Sequence, residues 1–224
     1  MSATKGSDKH KLMHPDFESI VSTILQSVKK EDLAELRKDF HARLRITLTQ
    51  PDREDLVEDL WDFFYDWCVF ERKLPDEMKS IDDAVSVLWD QVKVDNQRGL
   101  YTVTKIGDDS IKLKELFSSK VVSIPKKDAS DFIGISKGDI IEGRIVGKLK
   151  SDGKDNTIFN FARKPSFHPT EVHEYILKKV KQFKKDKDFD TYQTWLWLLV
   201  GMYLKHRIYD HMPIEKIYDD NSRI

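Results

Sequence analysis

The stretch LWDFFYDWCVFERKLP, residues 60 to 75, limits the possible folds more than any other part of the chain. On a helix at 100° per residue, Asp55, Asp59, Asp62 and Asp66 fall within a wedge of about 60°. Val57, Leu60, Trp61, Phe64 and Cys68 lie opposite, and Phe63, Trp67 and Phe70 fill one flank. About 260° of this helix is therefore apolar, against roughly 100° for an ordinary surface helix. It needs cover on nearly every side. A second segment, WLWLLVGMYL at 195–204, is apolar almost all round, yet falls well short of the about 20 residues of a membrane span. The pattern predicts two central helices, over 51–72 and 191–207, that touch each other. Trp61→Ala or Trp195→Ala is expected to cost about 3–5 kcal/mol where the ring is buried.

The remaining cover must come from the flanking segments. Pro15 suits a helix start, and Phe17, Ile20, Val21, Ile24, Leu25 and Val28 follow at helical spacing. Further helices are predicted over Glu31–Ile46 and Ser80–Val92, the latter with Ser80 as cap and Asp82 and Asp83 in the first turn. Residues 15–92 thus read as a helical bundle. Met1–His14 lacks the apolar core of a secretion signal and reads as a disordered polar tail.

From residue 93 to 165 the period changes. LYTVTKI, SIKLKEL, KVVSIP, DIIEGRIVGKL and TIFNFAR are short β-branched and aromatic runs, separated by turn signals such as Gly107-Asp108-Asp109. Ile141, Gly143, Ile145, Gly147 and Leu149 share one face. Glycine alternating with large aliphatics suits a sharply coiled wall, so a small five-stranded antiparallel β-barrel-like domain is expected, with an ordinary sheet as the alternative. Residues 166–224 return to helix. Pro169 and Glu171 mark its start, and Val172, Tyr175, Ile176, Val180 and Phe183 form its apolar stripe. The fold class is α+β: an N-terminal helical bundle, a small β-barrel-like domain, and C-terminal helices that pack back on the bundle.

Net charge is only −1, but it is unevenly spread. Thr49–Val92 holds 13 acidic and 4 basic residues, whereas Ser136–Lys185 holds 12 basic and 6 acidic. A single cysteine, Cys68, excludes a disulfide framework and a thiolate zinc site. The chain is expected to be cytoplasmic, with no membrane association.

FYDWCVFERKLP, then RGLYTVTKIGDDSIKLKELFSSKVVSIP, then ISKGDIIEGRIVG resembles a group of bacterial proteins of unknown function. In that group an aromatic DWF-F-R-L helix precedes a small β domain ending in a GD-I-R-V strand. The resemblance covers roughly residues 57 to 165 and implies architecture more than activity. Some members carry a C-terminal SEC-C metal-binding motif, and this chain has no cysteine there to support one.

No constellation reads as catalytic, cofactor-binding or metal-binding. Asp62 and Asp66 have the spacing of a carboxylate pair, but the bland reading is a solvated strip. Asp186-x-Asp188-x-Asp190 starts like a calcium loop and then places Thr191 and Trp197 where glycine and glutamate are required. The order His168, Glu171, His173 matches no zinc helix motif. The candidate partner-binding residues are therefore charged strips. One is acidic: Asp55, Asp59, Asp62 and Asp66. The other is basic: Arg144, Lys148, Lys150, Arg163 and Lys164 on the last strands, then Lys178, Lys181, Lys184 and Lys185 on the following helix. The leading expectation is a non-catalytic interaction or scaffold module for another protein. The alternative is a nucleic-acid-associated protein using the basic face, with Phe159, Phe161 and Phe167 interleaved among the cations. At least one strip is expected to face solvent.

Overall fold

The computed structural model describes residues 20, 21, 23, 28–46, 54–74, 83–94, 96–126, 133–149 and 157–222. Met1–His14 and most of the helix expected from Pro15 lie outside them, although Ile20, Val21 and Thr23 are helical. Helix α1 spans Lys30–Leu44, with Glu31 and Asp32 in its first turn and the left-handed Arg45 (φ 50°) ending it. Helix α2 spans Glu54–Asp66 and runs directly into a π turn, Trp67–Glu71. Helix α3 is Asp83–Val94.

Six strands follow: β1 Asn96–Ile106, β2 Ser110–Glu115, β3 Val121–Pro125, β4 Ile140–Leu149, β5 Thr157–Phe161 and β6 Ser166–Phe167. A short 3-10 turn at Thr170–Val172 leads into α4, His173–Asp186. Helix α5, Phe189–Ile208, is capped by Asp188, whose side chain accepts from the Thr191 amide. Helix α6 is Ile214–Ile217.

The fold is α+β, but its sheet is not the expected barrel. The strands run antiparallel in the order β3-β2-β1-β4-β5, and β6 pairs with β4 beside β5. The edge strands β3 and β5 approach each other without pairing, so the sheet is curled but open. Both edge strands are short, five residues each. After Phe161 the chain turns through Ala162–Pro165 and pairs again with β4 as β6. The face shared by Ile141, Gly143 and Ile145 does line the inside of the curl. Ile141 and Ile145 pack there with Tyr101, Val103, Ile111, Leu113, Val122, Ile124 and Phe161. A Cβ on Gly143 would stand 2.9 Å from the Phe161 ring, so glycine lets that ring fill the bend.

The outer face of β1 and β4 is also covered. Leu100 and Ile140 pack with Val172, Ile176 and Val180 and with the α5 residues Tyr192, Leu196 and Leu199. The Tyr192 hydroxyl accepts from the Leu100 amide (3.1 Å) and donates to the buried Glu115 carboxylate (2.9 Å), fastening α5 to the sheet. Asp220 ties down the C-terminal segment. Its carboxylate accepts from the Tyr175 hydroxyl (2.6 Å), the Trp195 indole (3.1 Å) and Lys179, and its carbonyl accepts from Arg45.

Helices α1, α2 and α5 share one core. Phe40 stands edge-on to Trp197 at 5.4 Å and packs 5.6 Å from Phe64 and Trp67. The two aromatic helices touch as expected, through Phe63 against Tyr203 and Asp59 against Arg207. Trp195 is buried, but Trp61 is only partly so, stacked on Tyr65 beneath Arg37. The expected cost of Trp61→Ala therefore passes to Trp67 and Trp197, the fully enclosed rings.

Candidate functional site: an internal charge network and an exposed lysine face

Strand register creates the first problem that the molecule has to solve. β1 and β4 pair so that Arg98 faces Arg144 directly and Leu100 faces Glu142. Like charges opposite one another in a sheet repel. Both arginines are buried on the helix-covered side, so anions must reach them there. Glu142 accepts from Arg98 Nε at 2.9 Å and from Arg163, which the β5–β6 corner delivers. Asp66, at the end of α2, accepts from Arg144 Nε at 2.5 Å and from Arg163 Nε at 3.1 Å. Glu71 accepts from Arg144 Nη2 at 3.1 Å and Arg98 Nη1 at 3.4 Å. Three cations thus meet three anions. Arg144 also donates to Asn96, at 2.9 Å.

The π turn explains how one helix supplies two of those anions. On an α-helix, residues five apart diverge by about 140°. The i→i+5 bond from the Arg72 amide to the Trp67 carbonyl widens the turn. Asp66 and Glu71 then fall on the same side and both reach Arg144. Aromatic rings close the network from outside. The Arg98 guanidinium lies 3.3 Å from the Trp197 ring centre, Arg144 4.6 Å from Phe70, and Arg163 4.0 Å from Phe63. The Trp197 indole donates to Glu71 at 2.7 Å. Arg98 Nη2 is buried with no hydrogen-bond partner among the described residues.

Burial alone would raise the Asp66 carboxyl, but Arg144, Arg163 and Arg98 outweigh it and hold it below the usual carboxylate range. The same contest, with Arg163 and Arg98 prevailing over burial and the Asp66 charge, lowers Glu142. Burial would lower the Arg163 guanidinium, yet Glu142 and Asp66 raise it. All three stay ionised near neutral pH. The network holds elements together and offers no proton for transfer.

The expected strips are thereby taken apart. Asp66, Arg144 and Arg163 are interior and bind one another, so none is a surface contact. Asp59 pairs with Arg207. Asp62 lines a cleft of about 10 Å³ with Asp59, Phe63, Arg163, Lys164, Pro165, Ser166 and Tyr203, room for about one water. Asp55 lies in the first turn of α2 and Lys148 on β4, while Lys150 falls outside the described residues. Lys164 is exposed at the cleft. Phe161 is enclosed in the sheet core, so the oligonucleotide-like face loses two arginines and its central ring to the interior. Glu71, Arg98 and Glu142 were not anticipated. The available signal was the second face of the β4 strand, where Glu142 and Arg144 alternate with Ile141, Gly143 and Ile145.

The helix lysines behave differently. Lys178, Lys181, Lys184 and Lys185 are all exposed on α4. Lys184 donates to the Leu116 carbonyl (3.1 Å) and Ser119 Oγ (3.0 Å), whereas Lys178, Lys181 and Lys185 make no hydrogen bond or ion pair with a described residue.

Two other reactive side chains are accounted for by burial. The Cys68 thiol is pushed up to about 12 by burial, slightly opposed by Arg72, and is inert packing. Among the described residues no group of three or more His, Cys, Asp or Glu side chains could hold a metal ion. His168 is buried, with Nδ1 3.2 Å from the Tyr218 hydroxyl and Nε2 without a partner. Burial lowers it to about 4, with Glu142 pulling upward and His173 and Arg163 downward.

This shift has a definite sign. Below its ordinary 6.5 the unfolded imidazole takes a proton that the folded one refuses until about pH 4. Stability is therefore expected to fall by about 3 kcal/mol as pH drops through that window. Asp66 and Glu142, with lowered folded values, withdraw their contribution only at lower pH still. Urea unfolding of His168→Gln from pH 7 to 4 checks this. The variant's stability should be flatter than that of the native protein by about that amount, and parallel curves would contradict it.

Among the described residues no helix is long and apolar enough to cross a membrane. No family model matches the chain, and neither a curated protein nor a solved structure does.

Proposed function

We propose that this protein is a non-catalytic interaction module that docks its partner on the outer face of α4. The observation that carries the reading is the run of exposed lysines on that helix that form no ion pair with a described residue. In the interior the fold pairs its charges, five of them buried, with the part-exposed Glu71 as the sixth member of the network. On α4, Lys178 and Lys181, Lys181 and Lys184, and Lys181 and Lys185 stand three or four residues apart. Such like-charged neighbours each destabilise a helix by a few tenths of a kcal/mol. Lys184 and Lys185 have a local use near the helix C-terminus, where cations oppose the dipole. Lys178 and Lys181 are mid-helix; Glu174 stands one turn before Lys178 without forming an ion pair, and Lys181 has no acid one turn away on either side. A partner with negative charge gives them a counter-charge, and also makes its association fast and sensitive to salt.

The test is charge reversal. Lys181→Glu, Lys184→Glu and Lys185→Glu combined should leave stability within about 1 kcal/mol of the native protein. Used as bait in native-cell extract at low salt, the triple variant should lose the partners that the native chain retains. The same partners should leave the native chain as salt rises. Retention of an unchanged partner set by the variant would overturn the reading.

A further inference from the structure

We propose, resting on that reading of α4, that the element seated on this face is an acidic amphipathic protein segment whose apolar side chain covers Leu177. Leu177 is 47% exposed. It stands beside Lys178, one turn before Lys181 and two turns before Lys184, so the lysines continue from it along the helix, while Glu174 occupies the turn before it. Their aliphatic stems extend its apolar surface while the ammonium groups stay in water. From Lys178 to Lys185 the lysines extend about 10 Å, which matches a partner helix bearing carboxylates over two turns with an apolar residue at one end of them.

Other occupants fit the face less well. Single-stranded nucleic acid is held by stacking on exposed aromatic rings. Here Tyr175 and Phe183 turn inward, 6.4 and 5.5 Å from the Trp195 ring, and the large exposed apolar side chain on the helix is aliphatic. A membrane-surface helix buries a continuous apolar face, whereas that of α4 packs Ile176 and Val180 into the protein. A second copy could offer its acidic helix α2, but Asp66 is buried there and Asp59 is engaged by Arg207.

Fluorescence anisotropy with four probes tests this. The probes are a Glu-rich helical peptide with leucines one turn apart, the same peptide with serine in place of leucine, an oligothymidylate of equal charge, and phosphatidylserine vesicles. The Glu/Leu peptide should bind about tenfold more tightly than the Glu/Ser peptide. Leu177→Asn should erase that difference and leave the weaker binding intact, and the triple lysine reversal should abolish both. Equal affinity for the two peptides, or tighter binding to the oligothymidylate or the vesicles, would overturn this inference while leaving α4 as the docking face. Failure of all four probes, with full partner capture by the triple reversal, would overturn both.

Discussion

Asp66→Asn is expected to lower the unfolding free energy by about 3–5 kcal/mol, while Asp59→Asn, two turns earlier on the same helix, should cost about 1 kcal/mol or less. Asparagine keeps the size of the side chain and removes the charge. In the interior this leaves Arg144 and Arg163 with less anion than cation, in surroundings where Asp66 and Arg163 are fully buried. Water cannot compensate there. Asp59 and Arg207 are partly exposed, and solvent replaces what the substitution removes. For a chain of this size the first change should lower the melting temperature by roughly 6–20 °C and the second by no more than about 4 °C. Equal effects would mean that the acidic strip is uniform after all.

Gly201→Ala should be comparably damaging, for a reason unrelated to charge. A Cβ at Gly201 would overlap the Leu44 carbonyl oxygen and lie 3.0 Å from its carbon. The obstacle is backbone, so no rotamer change relieves it and α1 and α5 must separate. Alanine itself favours a helix over glycine by about 1 kcal/mol, which the overlap must exceed. A net loss of about 3 kcal/mol is expected, at the upper end of overpacking costs. Urea denaturation measures it directly. A variant as stable as the native protein would show that the two helices do not cross so closely. Because Phe40 meets Trp197 in the same core, the ring packing should loosen as well, visible as altered tryptophan fluorescence.

Much of the architecture was legible in the chain. The aromatic segment predicted an almost wholly enclosed helix, and Phe63, Phe64, Trp67, Cys68, Val69 and Phe70 are all buried. The alternation Ile141, Gly143, Ile145 predicted a strand face inside a tight bend, with Phe161 now seen filling it. Closure was not legible, because the strand pattern marks which residues face inward but not whether the edge strands β3 and β5 bond to each other. The charged residues misled for a related reason. A helical wheel treats Asp55, Asp59, Asp62 and Asp66 as equivalent, but the sheet covers the end of the strip, where Arg144 and Arg163 enclose Asp66. The strand pattern marks Glu142 and Arg144 as polar, hence solvated, unless both faces of the sheet are covered. That second layer is supplied by α2 and α5, elements tens of residues away. The α4 lysines read correctly as exposed, since Ile176 and Val180 opposite them fix which side faces inward.

The central claim is that Asp66 and Arg163 are partners inside the fold and not members of two surface strips. A double-mutant cycle between Asp66→Asn and Arg163→Gln, followed by urea unfolding, isolates their coupling. The cycle should be measured at about 0.1 M and about 1 M salt, where screening lengths differ about threefold. The account predicts a coupling of roughly 1–3 kcal/mol that barely changes with salt. A coupling near zero, or one that disappears at high salt as exposed pairs do, would contradict it.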